Sequence, residues 1–339
     1  MMKSSVRKVD DWVYWGALPS IEQALELIRK HNVRLFINLY GYAGYEDYVE
    51  REGAHVIVYP IEELSFAPVE EVHFRILSKI QAEREGKTFI HCYAGIGRSG
   101  TLVCMYLIKK GIDYDTAFMR VKTLCPLWPE SYIQLVVPRW YNRLLEKVGI
   151  DVMKACFEEG SKFSFGTSLE HASTVANIAL DILETFIKAR LIEISGWEWK
   201  VTYAAGILHD VGRYDARDEV HHIRSIEIIE SMKSLRKIFR GIEREILKLL
   251  VVSHRASVDP RSDAKFRLIP DETKAIILTS CIKIADAFLD VYKIDIYSGC
   301  RMSKGKLVIY TNDYIKGRVM KKSQILRSMG IDVTTRYPN

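Results

Sequence analysis

Three features of the sequence predict two domains in tandem: an α/β domain with a parallel sheet over residues 1–150, and a mainly α-helical domain over residues 151–339. At 339 residues the chain is long enough for about two domains. In its first part short β-branched runs alternate with helix-period patterns, the arrangement that lays strands parallel and uses helices as crossovers. After about residue 150 the strand pattern stops and long amphipathic helices take over.

Residues 34–40, 55–61 and 87–91 are short runs rich in Val, Ile, Phe and Tyr and read as strands, while 20–31, 68–85, 99–110 and 129–147 have helical spacing. The junction is expected at 148–168, where Gly149, Gly160 and Gly166 interrupt the pattern. Helices follow at 168–189, 201–209, 225–232, 242–255 and 271–292, and a short strand pair around 306–311 closes the chain. Neither an internal repeat nor a low-complexity segment is present.

With 48% hydrophobic and 27% charged residues, the composition excludes disordered, fibrous and collagen-like chains. The net charge of +6 is spread along the length, which suits anionic substrates without demanding a nucleic-acid partner. The longest apolar run, Thr101 to Ile108, falls far short of the ~20 residues that span a bilayer, and Met1 to Ser5 lead straight into charged residues. A cytoplasmic protein with no membrane partner is expected. The cysteines at 92, 104, 125, 156, 281 and 300 have no framework spacing, and only Cys92 has a reactive neighbourhood. Gln occurs only at 23, 81, 134 and 324, a bias associated with thermophily.

The segment His91-Cys92-Tyr93-Ala94-Gly95-Ile96-Gly97-Arg98-Ser99-Gly100 joins the strand at 87–91 to a helix beginning near Ser99. Such a turn aims successive backbone N–H groups into one concavity, and the helix dipole adds positive charge, so it forms a phosphate cradle. Gly95 and Gly97 let the backbone approach an anion closely, and Arg98 can fold back as a bidentate clamp. The same field favours a thiolate at Cys92, and a thiolate is a nucleophile.

His-Cys-x-x-Gly-x-x-Arg-Ser resembles the signature loop of the cysteine-dependent tyrosine and dual-specificity phosphatases. The resemblance implies that Cys92 forms a phosphocysteine intermediate, that Arg98 and the loop Tyr93, Ala94, Gly95, Ile96 and Gly97 bind the phosphate, and that Ser99 helps the thiolate leave. His91 would tune Cys92, and this domain would need no cofactor. The family also protonates the leaving oxygen from an upstream Asp. Tyr59-Pro60-Ile61-Glu62-Glu63-Leu64-Ser65-Phe66-Ala67-Pro68 is similar to that acid loop with Glu in place of Asp; Glu63 is the first candidate and Glu62 the second. If neither acts, substrates with good leaving groups such as phosphoanhydrides come forward. Trp12 to Pro19 and Cys125 to Gln134 are also similar to the compact dual-specificity members, so the resemblance covers roughly residues 10–147. Gln134 either positions the hydrolytic water or is a polar residue on a helix surface.

In the helical half, His171, His209, His221, His222 and His254 lie where a helix stripe should be apolar, which is costly unless each imidazole has a partner. Asp210 adjoins His209, Asp286 aligns with Ile282 and Leu289, and Thr167-Ser168-Leu169-Glu170 sets the start of the helix carrying His171. Several inward-pointing nitrogen and carboxylate ligands without thiolates suit Mn, Fe, Ni or Zn, in one or two ions. A metal-acidified water would attack a phosphate ester or anhydride.

The order His171 … His209-Asp210 … Asp286 resembles the HD phosphohydrolase superfamily, including its five-histidine members. More narrowly, 205–212 (Ala-Gly-Ile-Leu-His-Asp-Val-Gly), His221-His222, Val252-Ser253-His254-Arg255 and Ile284-Ala285-Asp286-Ala287 are similar to the helical domain of the exopolyphosphatase and guanosine-pentaphosphatase family, over residues 168–310. By that resemblance His171, His209, Asp210 and Asp286 hold one metal, while His254 with His221 or His222 completes a second site. Lys283 and Arg255 are either phosphate ligands or plain surface charges.

The expected function is therefore a bifunctional phosphohydrolase acting on a phosphoprotein or a small phosphorylated metabolite or nucleotide. The ATPase-like domains that carry the exopolyphosphatase chemistry have no counterpart here, which opens a second reading: a cysteine phosphatase with a ligand-binding, regulatory helical domain. A third reading, an RNA 5′-end phosphatase, draws on the positive charge but lacks an aromatic and basic surface motif.

Overall fold

In the computed structural model, which describes residues 6–293 and 296–337, the chain divides into the compact units Met1–Asn142 and Arg143–Asn339. Residues 1–5, on which the targeting expectation drew, lie outside the described residues. No described helix is long and apolar enough to cross a membrane.

The first unit is built on one sheet of β1 (Arg7–Lys8), β2 (Val13–Gly16), β3 (Val33–Asn38), β4 (His55–Val58) and β5 (Lys87–His91), in the order β1-β2-β5-β3-β4. All neighbours pair in parallel except the edge strand β1. β1 and β2 were not read from the sequence, because two and four residues are too short to show a period. β3 and β4 end earlier than expected: beyond Asn38 and Val58 the chain turns away, held by Leu39 N–H to His91 O and Tyr59 N–H to Asn38 O. The helices Glu46–Arg51 and Tyr114–Leu124 are additional. The helix Gly97–Lys109 is buried from Gly97 through Ile108, which explains why its sequence is a plain apolar run. The register places Gly16, Asn38 and His91 side by side at the C-terminal ends of parallel strands. Loops leaving such ends form the crevice in which open α/β sheets place ligands.

In the second unit Leu169–Lys188 packs against Gly196–Leu208 and Glu272–Ala285, with Ile150–Ser161, His221–Ser231 and Ile242–Val252 around them. The stretch expected to be a glycine-broken junction is instead the helix Ile150–Ser161, buried through Val152, Met153, Ala155 and Cys156; Phe165 packs into the space that a side chain at Gly160 would occupy. The expected strand pair is a three-stranded sheet: Cys300–Ser303 antiparallel to Lys306–Tyr310, which runs parallel to Asp332–Arg336. Arg143 anchors the start of this unit, its guanidinium 2.5 Å from Asp181 and 3.3 Å from Glu184. The helices predicted to 255 and 292 stop at Val252 and Ala285, so His254 and Asp286 stand at helix ends.

Candidate active site and metal centre

Cys92 follows β5 directly, and the loop 92–96 closes onto the helix Gly97–Lys109. Its sulfur lies 3.2 Å from Ser99 Oγ, which accepts the Trp15 indole N–H at 2.9 Å. With an acceptor position so filled, the Ser99 hydroxyl proton is free to point at sulfur. His91 is fully buried, and burial pushes its imidazole down to about 4, so the ring is neutral. Its Nδ1–H donates to the Cys92 carbonyl (3.2 Å), which leaves Nε2 to accept the Tyr45 hydroxyl at 2.6 Å. Burial likewise drives the Tyr45 phenol above its ordinary range, consistent with a donor role. His91 thus fixes the Cys92 backbone rather than touching its sulfur.

Arg98 is buried and donates Nη1–H to the Ile61 carbonyl at 2.7 Å, tying the phosphate loop to the acid loop. Both border a cleft of about 620 Å³, along with Glu62, Glu63, Tyr40 and Tyr93. The two glutamates are exposed on a turn in which Ser65 N–H and Oγ–H bond to Glu62 O, with Leu64 at φ 61°. The rings of Tyr40 and Tyr93 lie 5.3 Å apart on the rim.

Gln134, one reading of which placed it on a helix surface, is fully buried against the phosphate loop. A Cβ at Gly97 would fall 2.4 Å from Gln134 Oε1 and 2.2 Å from Glu130 Oε2, so any side chain there would displace the ends of these two polar side chains. Gln134 Oε1 accepts the Glu130 N–H at 3.1 Å, and Nε2 donates to Ser65 O at 3.4 Å. Glu130 escaped the sequence reading because nothing in its spacing marks it as a neighbour of a loop more than thirty positions upstream.

The second unit brings His171, His209, Asp210, His221, His254 and Asp286 together. Each of the four imidazoles gives Nδ1–H to a backbone carbonyl: His171 to Leu289 (3.0 Å), His209 to Gly206 (2.8 Å), His221 to Asp218 (2.6 Å) and His254 to Val251 (2.6 Å). Every Nε2 lone pair therefore points inward. These acceptors face each other in pairs, His171 to His209 at 3.2 Å and His221 to His254 at 2.9 Å. Asp210 stands between the pairs, with Oδ2 3.8 and 3.7 Å from His171 and His209 and Oδ1 3.1 and 3.5 Å from His221 and His254. Its buried Oδ1 has no hydrogen-bond partner. Asp286 Oδ1 lies 3.5 Å from both His171 and His209. Two groups, His171/His209/Asp210 and Asp210/His221/His254, thus share one carboxylate, each with ligand atoms within 4.8 Å of one another.

Electrostatics follow the geometry. Burial opposes charge at Asp210, yet His209, His221 and His254 hold its carboxyl far below the usual range. Asp286 behaves alike, burial being outweighed by Lys322 and the two histidines. Burial pushes His254 down to about 3, whereas at His209 the two aspartates overcome burial and raise it. Arg213 Nε donates to Asp210 Oδ2 at 2.7 Å, a contact that sequence reasoning missed. Of the adjacent pair, His221 reaches the cluster; His222 does not join either group, and its buried Nδ1 is unpartnered. Arg255 bonds to the Asp218 carbonyl, and Lys283 to that of Val258 at 2.5 Å.

Comparison with known proteins matches residues 13–128 to the dual specificity phosphatase catalytic domain. The Drosophila melanogaster PRL-1 phosphatase is 30% identical over 98 residues, covering 28% of this chain and 56% of that protein. The Mus musculus protein tyrosine phosphatase type IVA 2 is 28% identical over 108 residues, covering 30% and 65%. The chain thus spans less than two thirds of the length of these curated relatives. Among solved structures, Tk-PTP in its active form is 26% identical, with 42% of this chain and 99% of that chain covered at a TM-score of 0.38. PTPMT1 in complex with PI(5)P is 18% identical, with 41% and 94% covered at 0.36. Residues 13–128 are therefore a cysteine phosphatase domain of the dual-specificity type, a class of hydrolases acting on phosphoester bonds.

Proposed function

We propose that the chain is a two-unit phosphohydrolase, with Cys92-dependent phosphomonoester hydrolysis in the first unit and a metal-dependent HD-type phosphohydrolase in the second. The observation that carries the first half is Cys92 Sγ within 3.2 Å of Ser99 Oγ at the mouth of a helix N-terminus, beside buried Arg98. The thiolate attacks phosphorus and the ester P–O bond breaks as Glu63, or Glu62 beside it, gives its proton to the leaving oxygen. Arg98 and the loop amides of residues 93–98 bind the equatorial oxygens, where transition-state charge gathers. A water held by Gln134 and deprotonated by the same glutamate then breaks the S–P bond, and the Ser99 hydroxyl stabilises the departing thiolate. The tyrosine rims suit a phosphorylated group carrying an aromatic or flat moiety, and the substrate class extends from phosphoprotein to small phosphorylated metabolite or nucleotide.

The second half rests on paired Nε2 acceptors at 2.9 and 3.2 Å around an unpartnered carboxylate oxygen. Two lone pairs at that separation repel unless a proton or a cation lies between them, so the donor set fits divalent Mn, Fe, Ni or Zn. His171, His209, Asp210 and Asp286 would hold one ion, and Asp210, His221 and His254 a second. A bound ion supplies an acidified water for phosphate ester or anhydride hydrolysis. The backbone carbonyls fix the four rings, and Arg213 holds Asp210 Oδ2.

Acid quenching after brief exposure to substrate, followed by intact mass spectrometry, should show one phosphoryl group on the wild type and none on Cys92→Ser. Titration with Mn should give one or two ions per chain, lost in Asp210→Asn. No phosphoryl adduct would contradict the first half, and no metal binding the second.

A further inference from the structure

A pocket of about 400 Å³ opens in the first unit at the end of the sheet away from the phosphate loop. Val13 and Thr88, register partners at the starts of β2 and β5, form part of its wall, whereas Gly16 and His91 at the other ends of the same strands stand at the catalytic end. Its size falls within the range of about 300–1,000 Å³ common to small-molecule sites. Leu77 and Ile80 add buried apolar surface. Trp12 also lines it, although 57% of that residue is exposed to water. Its main chain is pinned, the N–H donating to Asp10 Oδ1 at 2.8 Å and the carbonyl accepting the Thr88 N–H at 2.8 Å, so the indole is held at the rim.

Four charged side chains border the pocket, and three of them are matched. Lys110 pairs with Asp10 at 2.8 Å. Arg84 and Glu83 are adjacent and opposite in sign; Glu83 Oε1 accepts the N–H groups of Glu85 and Gly86, and Arg84 donates to the carbonyls of Gln81 and Glu83. Lys109, the last residue of the helix Gly97–Lys109, is left over. It is half-buried, no carboxylate among the described residues pairs with it, and burial pushes its ammonium down to about 8. An ammonium that has lost water without gaining a counter-ion is costly. We propose that this pocket binds a small amphiphilic carboxylate, an anion of fatty-acid type whose chain lies against Leu77, Ile80 and Trp12 and whose carboxylate pairs with Lys109. One unmatched cation calls for one negative charge. A phosphate monoester carries nearly two and would leave one uncompensated against an apolar wall. A neutral ligand would cover the apolar surface but leave Lys109 without a counter-ion.

The test titrates the full chain, its catalytic loop saturated with inorganic phosphate, with octanoate, the neutral isostere octanamide and octylammonium, followed by ligand-observed nuclear magnetic resonance. Octanoate should bind once per chain at about millimolar affinity or tighter. It should bind about tenfold or more tightly than octanamide, the worth of a hydrogen-bonded charge, and octylammonium should not bind. Lys109→Met, which keeps the apolar stem, should remove that tenfold advantage and leave octanamide nearly unchanged, while Trp12→Ala should weaken octanoate and octanamide together. Equal octanoate affinity in the wild type and Lys109→Met, in chains of matching circular dichroism, overturns the carboxylate contact. An unchanged affinity in Trp12→Ala overturns the seat of the chain, and absence of saturable octanoate binding or a preference for octylammonium overturns the site.

Discussion

At Ser99 a single hydrogen bond decides which way a proton points. Because Trp15 donates to its oxygen, the hydroxyl serves the sulfur of Cys92. Ser99→Ala should slow breakdown of the phosphocysteine by about 10- to 100-fold, the worth of one hydrogen bond to a charged group, while its formation changes little. A pre-steady-state burst followed by a slower steady rate is the expected signature; equal slowing of both phases would contradict the assignment. At the acid loop, Glu63→Gln should cost about 10²- to 10⁴-fold on alkyl phosphates and much less on aryl phosphates with good leaving groups. Glu62→Gln should stay within a few-fold, and the reverse pattern would exchange the two roles. Cys92, Arg98 and Ser99 were legible in the sequence because one contiguous loop carries them. Glu130 was not, since its place against Gly97 is set by tertiary packing.

Helix ends are the elements that build the second site. His171 and His221 sit in the first turns of Leu169–Lys188 and His221–Ser231, while His209 and Asp286 are C-cap residues and His254 follows Val252. Free carbonyls in last turns, those of Gly206 and Val251, receive the ring N–H groups of His209 and His254. Periodicity marked these side chains as inward but ran the helices through His254 and Asp286 and started the helix of His221 only at residue 225, because a histidine among apolar residues does not reveal where a helix begins or stops. The same blindness turned Ile150–Ser161 into a junction: its glycines looked like breaks, yet Gly160 makes room for Phe165. His221 and His222 are adjacent, and only the helix start sets which one turns inward. Gly166 has φ 82°, and a Cβ there would lie 1.8 Å from the Asp210 carbonyl. Gly166→Ala should therefore cost about 1–3 kcal/mol of stability and weaken Mn binding by displacing Asp210. Thermal unfolding and Mn titration check this, and an unchanged Mn affinity would contradict the coupling.

At the scale of the whole molecule, buried neutral histidines tie stability to pH. His73 and His91 have folded values pushed by burial from 6.5 to about 4. The unfolded chain therefore takes up protons first, and the stability from keeping these rings neutral is complete above pH 6.5 and lost as pH falls toward 4. The loss is about 1.4 kcal/mol per pH unit for each ring within that window. His73, whose Nδ1 meets the Tyr141 hydroxyl at 2.7 Å, is the one to replace, since it lies outside the phosphate loop. Urea midpoints at pH 7, 6 and 5 should fall less steeply in His73→Gln than in the wild type; parallel slopes would contradict the assignment.

The claim that two separate centres act in one chain is tested most directly by phosphate release from phosphopeptides, sugar and inositol phosphates, nucleotides, polyphosphate and RNA ends. The chains compared are wild type, Cys92→Ser and Asp210→Asn, with and without added Mn or Ni. Cys92→Ser should silence a metal-independent subset and Asp210→Asn a different, metal-dependent one. If Cys92→Ser abolishes all release and Asp210→Asn none, the second unit is not a hydrolase of these substrates and the two-centre account is contradicted.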